Sequence, residues 1–576
     1  MNKYFKYVKP HLAFFVLAPV CMLTEVFGDV MLPKFLSLII NNGVVTGDTA
    51  YVIKTGIYMI CFALVMMMGG IMGTFCASNA SIRFAADLRQ DMFNKIQGFA
   101  FEDIDEFSTG SLVTRLTNDV TQIQQCIRML LIIALRSPGM LIGALIMACS
   151  INLRLALVIA AVIPVLIFAI AVILKTAFPR FNKMQVKIDN INSSTQENIT
   201  NMRVIKSFLR TDHEIDKFKK ANEDLSETTL RAMKVVILNM PVVTLIMNMT
   251  TIAVVWVGGN FVITGNMPIG DLSAFTIYIV QILMSLMMLS HVFLLFSRAV
   301  ACVKRIGEIL DRDVQLNDND IKTNSNLVTR GEIEFKNVSF RYNQTNDDHI
   351  LKDINIKIEA GSTVGIIGMT GSGKTSFVSL IPRLYDVTEG QVLVDGVDVR
   401  DYKLSELRQS VAMVLQNNVL FSGTIKENLK WGDESATEEQ MDQACELAQI
   451  SSYIDSLKDG YETNIEQGGT NLSGGQKQRL SIARALLKKP KILILDDSTS
   501  AVDTATENKI RQSFKTTLKE TTKLIIAQRI QSVKDSHMII VFENGMIKGY
   551  GTHKQLMENC DLYKEIYYSQ MDNDES

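Results

Sequence analysis

The sequence predicts a chain of two chemically different parts: an α-helical membrane part of six transmembrane helices with long cytoplasmic extensions, then a soluble α/β P-loop domain. Three observations carry this reading. Residues 1–300 hold only 25 Lys/Arg and 19 Asp/Glu, against 33 and 41 in residues 301–576, so charge is scarce in the first part and ordinary in the second. Six apolar stretches in the first part are long enough to cross a hydrocarbon core of about 30 Å. In the second part a Gly-rich G-x-x-x-x-G-K-S/T loop stands between an apolar run and a helical stretch. A chain of 576 residues exceeds what one compact core accommodates. The expected division is 1–312 membrane, 313–330 linker and 331–576 soluble, with Asn317, Asn319, Asn324 and Asn326 marking the linker.

Composition excludes several classes. Fifty-eight basic residues against 60 acidic ones give a net charge of −2, which argues against nucleic acid as a partner. A hydrophobic content of 48% and a mean hydropathy of +0.18 argue against disorder. The eight cysteines form no C-x-x-C pair and no Cys/His cluster, so they read as small packing residues rather than zinc ligands or a disulfide framework.

The apolar stretches lie near 12–40, 56–80, 127–150, 154–175, 235–263 and 272–297. Lys3, Lys6 and Lys9 precede the first, and because it stays apolar well beyond a signal-peptide core it reads as an uncleaved membrane helix. Tyr4, Phe5 and Tyr7, interleaved with those lysines, suit a short interfacial helix. Basic residues concentrate after the second span (Arg83, Arg89, Lys95, Arg115) and after the fourth (Arg180 to Lys220), so the positive-inside rule puts both termini in the cytoplasm of a multi-pass membrane protein. The expected lack of a cleaved signal and of organelle-type targeting composition suggests an inner membrane. The connections 81–126 and 176–234 are far longer than turns and read as helix. Ser108-Thr109-Gly110 and Thr211-Asp212-His213 supply turn chemistry at their tips. In the first span Glu25 and Asp29 stand four apart on one helical face, and ionisable groups at that depth point to a cationic-substrate site or a gate, alongside plain hydrogen bonding to neighbouring helices. Twenty-nine methionines offer adaptable apolar surface, most of it ordinary packing.

In the soluble part, Val364-Gly365-Ile366-Ile367 leads into Gly368-Met369-Thr370-Gly371-Ser372-Gly373-Lys374-Thr375. Glycines let backbone N–H groups close around phosphates, Lys374 reaches the outer phosphate oxygens, and the Thr375 hydroxyl suits Mg²⁺. About 120 residues later, Ile492 to Leu495 form a buried strand ending in Asp496-Asp497, where a carboxylate can hold that metal. Between them, Leu472-Ser473-Gly474-Gly475-Gln476 opens a basic and apolar helix and forms a second anion-binding turn.

These motifs resemble the nucleotide-binding domain of ATP-binding-cassette (ABC) proteins, with Leu472 to Gln476 as the family signature. Six spans before one cassette resemble an ABC exporter half-transporter over nearly the whole chain. The resemblance implies ATP and Mg²⁺ as cofactors, with Gly368, Gly371, Ser372, Gly373, Lys374, Thr375 and Ser376 on phosphate. It implies Tyr342 as the adenine-stacking aromatic, Gln416 as the Q-loop residue, and Thr375, Gln416 and Asp496 around the metal. It also makes Ser500-Ala501-Val502-Asp503 the D-loop and assigns Ser473, Gly474, Gly475 and Gln476 to ATP held by the opposite subunit. Gly110 to Val120 and Arg203 to Phe208 resemble the exporter's intracellular loops.

Two positions depart from the family pattern. Asp497 follows the metal-binding aspartate where a catalytic glutamate is usual, and Gln528 in Ile526-Ala527-Gln528-Arg529 stands where a switch histidine is expected. One methylene less retracts the carboxylate by more than about 1 Å where geometry controls rate, and an amide cannot carry the proton an imidazole can. Gln467 also stands where a glutamate is common. The pattern resembles the degenerate-site subunit of heterodimeric bacterial ABC multidrug exporters. It implies a partner half-transporter with the complete glutamate and histidine, an amphiphilic substrate and a lipid bilayer. A homodimeric exporter with atypical catalytic residues and an ATP-gated channel or regulatory subunit are the alternatives.

Overall fold

The computed structural model describes residues 2–312, 327–342, 349–498 and 501–572. The asparagines 317, 319, 324 and 326 and the D-loop Ser500 lie outside the described residues. The chain forms two units, Met1–Lys95 with Gly110–Arg312, and Ile96–Thr109 with Asp313–Ser576.

Among the described residues the first unit has six helical stretches long and apolar enough to cross a membrane: Lys3–Val44, Thr49–Gln97, Thr109–Ile151, Leu153–Thr200, Thr211–Ile263 and Ile269–Leu289. Thr49–Gln97 is one uninterrupted helix of 49 residues, about 74 Å at 1.5 Å per residue and more than twice the hydrocarbon thickness. The helices therefore run far past the membrane, as the polar composition of 81–126 and 176–234 requires. Apolar packing holds the membrane-embedded part together. Phe275, Tyr278, Ile279 and Ile282 of one helix are buried against Val26, Val30, Ala144 and Leu155 of others, and Tyr278 donates its hydroxyl proton to the Val30 carbonyl at 2.8 Å. In the polar extension the buried Asp119 carboxylate accepts two N–H bonds from Arg305 at 2.6 and 2.7 Å. That fork-shaped pairing fixes both orientation and distance.

The tips differ in one respect from the expected turns. The second break lies at Asn201 and at Phe208–Arg210, flanking a short helix Met202–Ser207, with Leu209 in the left-handed region at φ 52°. Thr211, Asp212 and His213 form the first turn of the following helix Thr211–Ile237 instead. Acidic residues stabilise a helix N-terminus, so Asp212 and Glu214 suit that position as well as they suit a turn. At the first break, a six-residue helix Phe101–Glu106 precedes Ser108, and the next helix starts at Thr109.

The second unit contains the strands β1 (Ile333–Phe340), β2 (Leu351–Ile358), β3 (Thr363–Gly368), β4 (Glu389–Val394), β5 (Val397–Asp398), β6 (Val411–Val414), β7 (Gly423–Thr424), β8 (Asn464–Ile465), β9 (Ile492–Asp496), β10 (Thr522–Ile526), β11 (Met538–Glu543) and β12 (Met546–Gly551). Among the described residues they form a sheet in the order β12-β11-β3-β10-β9-β6, an antiparallel sheet β2-β1-β4-β5, and the pair β7-β8. In the larger sheet β11, β3, β10, β9 and β6 run parallel. Their side chains are buried throughout β9 and β10, which explains the apolar runs Ile492 to Leu495 and Leu524 to Ile526. Register then sets function. Ile526 pairs with both Ile366 and Asp496, so the carboxyl ends of β3, β9 and β10 deliver Gly368, Asp497 and Gln528 to one edge, where ligands of such sheets bind.

Candidate functional site

The phosphate loop follows β3. Gly373 sits at φ 97°, and a Cβ there would stand 2.8 Å from Leu351 Cδ2 and 3.2 Å from the Ile350 carbonyl oxygen, so neither backbone nor space admits a side chain. Gly373 caps the helix Lys374–Ser379. Lys374 Nζ curls back to donate to the carbonyls of Gly368 and Met369, both at 2.8 Å, and burial pulls its pKa below the ordinary lysine value against the opposing pull of Asp496 and Asp497. A half-buried ammonium whose bonds go to its own loop is a cation arranged for an anion in that cradle. Ser372 and Ser376 are buried beside it, and Tyr342 reaches Ser376 Oγ at 2.7 Å through its hydroxyl. Tyr342 also packs edge-on against Phe340 at 4.9 Å and Tyr385 at 5.0 Å.

Two carboxylates face this lysine from the end of β9. Asp496 is buried. Burial raises its pKa, with the Thr375 hydroxyl bond and Lys374 acting against Asp497 and that burial. Thr375 and Asp496 thus meet as hydroxyl and carboxylate, a donor set of hard oxygens that fits Mg²⁺. Asp497 adopts a left-handed φ of 48°, a region in which aspartate is better tolerated than most residues. Its Oδ2 accepts the Gln528 side-chain amide at 2.7 Å and, more distantly, that of Gln416 at 3.5 Å. Burial raises the Asp497 pKa, and the Gln528 bond, Lys374 and Gln416 partly offset this. The three residues marked as unusual or as Q-loop in the sequence therefore form one cluster around a single carboxylate oxygen.

The signature lies at the start of the helix Gly474–Leu487. Ser473 and Gln476 form a reciprocal cap: Gln476 N–H donates to Ser473 Oγ at 3.3 Å, and Ser473 N–H donates to Gln476 Oε1 at 2.8 Å. Because Ser473 Oγ is only an acceptor in this cap, its own proton remains available to an anion. A Cβ on Gly475 would stand 2.9 Å from the Ala501 carbonyl oxygen, which ties the signature turn closely to the D-loop. Asp503 caps the helix Thr504–Thr517 by accepting Thr506 N–H at 2.9 Å.

Comparison with known proteins decides the family. Residues 15–286 match the family model of the ABC transporter transmembrane region, and residues 351–500 match that of the ABC transporter domain. The chain is 38% identical over 572 residues to the ABC transporter ATP-binding protein YfiB of Bacillus subtilis, covering 99% of this chain and 98% of the relative. This chain belongs to the ABC transporter family. The transporter is also 35% identical over 569 residues to Rv1273c of Mycobacterium tuberculosis, covering 98% and 97%. It is 32% identical over 577 residues to B. subtilis YgaD, provisionally named a multidrug export ATP-binding/permease protein, covering 98% of each. A solved bacterial Atm1-family ABC exporter with ATP bound shares the fold, with a TM-score of 0.77, 24% identity and 98% coverage of both chains. The transporter therefore combines six apolar helices with an ATP-binding, ATP-hydrolysing cassette.

Sequence patterns missed the partner of the intramembrane carboxylates. Arg136 Nη2 lies 2.9 Å from Glu25 Oε1 and 3.6 Å from Asp29 Oδ2, so the transporter holds an Arg–Glu–Asp triad among its spans. Arg136, further inside the apolar run 127–150 than Arg128, was the available signal, since a guanidinium at that depth needs a counter-ion.

Proposed function

We propose that this transporter is one subunit of a heterodimeric inner-membrane exporter of amphiphilic small molecules, with both termini cytoplasmic, whose own site binds ATP and hydrolyses it slowly. The observation that carries this reading is the Asp497–Gln528 hydrogen bond of 2.7 Å. An aspartate replaces the usual glutamate and a glutamine the usual histidine, and each occupies the other. The carboxylate that would orient a water accepts an amide N–H, and that amide does not titrate near neutral pH, so it cannot take up and release a proton as an imidazole does. ATP, when bound and cleaved, supplies the free energy of its terminal phosphoanhydride bond. Lys374 and the loop amides from Gly371 to Thr375 would hold the phosphates, Thr375, Gln416 and Asp496 would hold Mg²⁺, and Tyr342 would face the base. Ser473, Gly474, Gly475 and Gln476 would complete the site whose phosphate loop, metal-binding aspartate, glutamate and histidine belong to the partner. The name of YgaD supports amphiphilic, drug-like cargo.

The test is ATP hydrolysis by the purified chain in lipid discs, alone and after co-expression with candidate half-transporters. Near-zero release of phosphate alone and robust release from one co-purified pair is the expected result. Robust release by the chain alone would instead establish a homodimeric pump in which Asp497 and Gln528 are competent.

For Glu25 and Asp29 the shared Arg136 favours an internal brace or gate over a cation site. Neutralising both, Glu25→Gln with Asp29→Asn, strands a guanidinium whose cost at a helix centre is about 2.5–3.5 kcal/mol. The melting temperature in detergent should fall, and adding Arg136→Gln should recover it. Selective loss of cation export with unchanged melting would assign the pair to substrate instead.

A further inference from the structure

The C-terminal helix Asp561–Asp572 carries Tyr563, Ile566, Tyr567 and Gln570 at i, i+3, i+4 and i+7, hence on one face. The first three anchor the helix. Tyr563 is fully buried in the larger hydrophobic core of the cassette, with Ile566 and Tyr567 packed against it. Tyr563 also pairs its hydroxyl with His553 Nδ1 at 2.8 Å, and the Lys534 ammonium sits 5.9 Å from the Tyr567 ring centre. The fourth position is polar and meets the loop after β10. Gln570 Oε1 accepts the Ile530 N–H at 2.9 Å, and Gln570 Nε2 donates to the Gln528 carbonyl at 2.8 Å. One side-chain amide thus bridges the backbone on both sides of Arg529. Only an amide offers an acceptor and a donor side by side in that order.

The bridged segment needs such a tie. The sheet's ladder ends where Ala527 N–H donates to the Ile366 carbonyl at 3.2 Å, and the loop next becomes regular in the turn Ile530–Ser532. Gln528 and Arg529 lie between, outside the sheet, and the Gln528 side chain must still reach Asp497 from there. We infer that Gln570 is a positioning residue for nucleotide recognition, fixing the backbone at Gln528 so that its side chain is held at the γ-phosphate end of the site. This rests on the proposed reading of Gln528 as the switch residue, and it adds the C-terminal helix as the element that sets the switch. The docked state of this helix then tunes how strongly the cassette distinguishes ATP from ADP.

The test is binding of Mg–AMP-PNP and Mg–ADP to the purified full chain in lipid discs, with melting temperature recorded for each variant. Gln570→Ala should weaken AMP-PNP about three- to tenfold, the range for losing a neutral hydrogen-bonded tie, while ADP affinity stays within about twofold because ADP lacks the phosphate that the switch senses. Gln570→Glu, which keeps the acceptor for Ile530 N–H but loses the donor to Gln528, should behave like the alanine variant. Gln528→Ala should show the same selective loss, and the double variant should add little, since both act through one contact. Equal weakening of both nucleotides by Gln570→Ala, or no weakening while Gln528→Ala remains selective, overturns the inference and leaves the reading of Gln528 standing. A Gln528→Ala variant without γ-phosphate selectivity overturns both.

Discussion

Arginine in place of Ser473 should remove most ATP turnover from the assembled exporter, by about 100-fold or more, while alanine in place of Lys374 should leave at least roughly half of it. The asymmetry follows from which site each residue serves. Ser473 opens the helix Gly474–Leu487 and caps it with Gln476, and on the proposed reading its hydroxyl proton and the following amides would be the donors offered to the partner's nucleotide. Arginine removes the cap, worth about 1 kcal/mol. It also projects a long cation into a turn so close to the D-loop that a methyl group on Gly475 would collide with the Ala501 carbonyl. In the proposed heterodimer the partner's site would lose these donors. Lys374, by contrast, lies in the loop of the same chain whose Asp497 is tied to Gln528, and on the proposed reading removing it would empty a site that contributes little turnover. Phosphate release by the reconstituted heterodimer, with Ser473→Ala as the milder control, measures both. Equal losses from Lys374→Ala and Ser473→Arg would mean that the two sites hydrolyse alike.

The membrane part was legible because its signal is local. A span is a run of apolar residues of fixed length, and the stretch 12–40 returns as the helix Leu12–Ile39 without reference to any other segment. The phosphate loop was legible for a related reason: glycine spacing, lysine and threonine lie within eight consecutive residues, and their strand-loop-helix setting is read from the same stretch. The helix start at Thr211 was misassigned because Thr-Asp-His serves a turn and a helix N-terminus equally well, and only the backbone at Leu209 distinguishes them. Pairings across long separations were invisible. Arg136 meets Glu25 over 111 residues, and Gln570 meets Gln528 over 42. Periodicity places such residues on faces and does not say which faces meet. The departures at Asp497 and Gln528 were visible singly. That they bond to each other was not, and this pairing is what the proposed slow site rests on.

Restoring that arrangement is the more demanding prediction. In a heterodimer whose partner site is silenced by Ser473→Arg, the remaining site is the one built on Lys374, Asp496 and Asp497 and completed by the partner's signature. Asp497→Glu with Gln528→His should raise phosphate release there by about tenfold or more, since a positioned acid–base group is worth about 100- to 10,000-fold and two new side chains on this backbone would recover only part of that. Each single change should do less. Glutamate beside Gln528 extends toward the phosphate end yet still meets the amide that now holds Asp497 at 2.7 Å, and histidine beside Asp497 gains a carboxylate partner too short to place a water. The gain is therefore non-additive. Glutamate also enters a position with φ 48°, less favourable for it than for aspartate, so the double variant should melt slightly lower, by the equivalent of about 1 kcal/mol or less. Adding Lys374→Ala must abolish the restored release, because it then removes the cation of the site doing the hydrolysis. Restored release that survives Lys374→Ala would locate the activity elsewhere, and no gain from the double change would mean that something other than Asp497 and Gln528 limits this site.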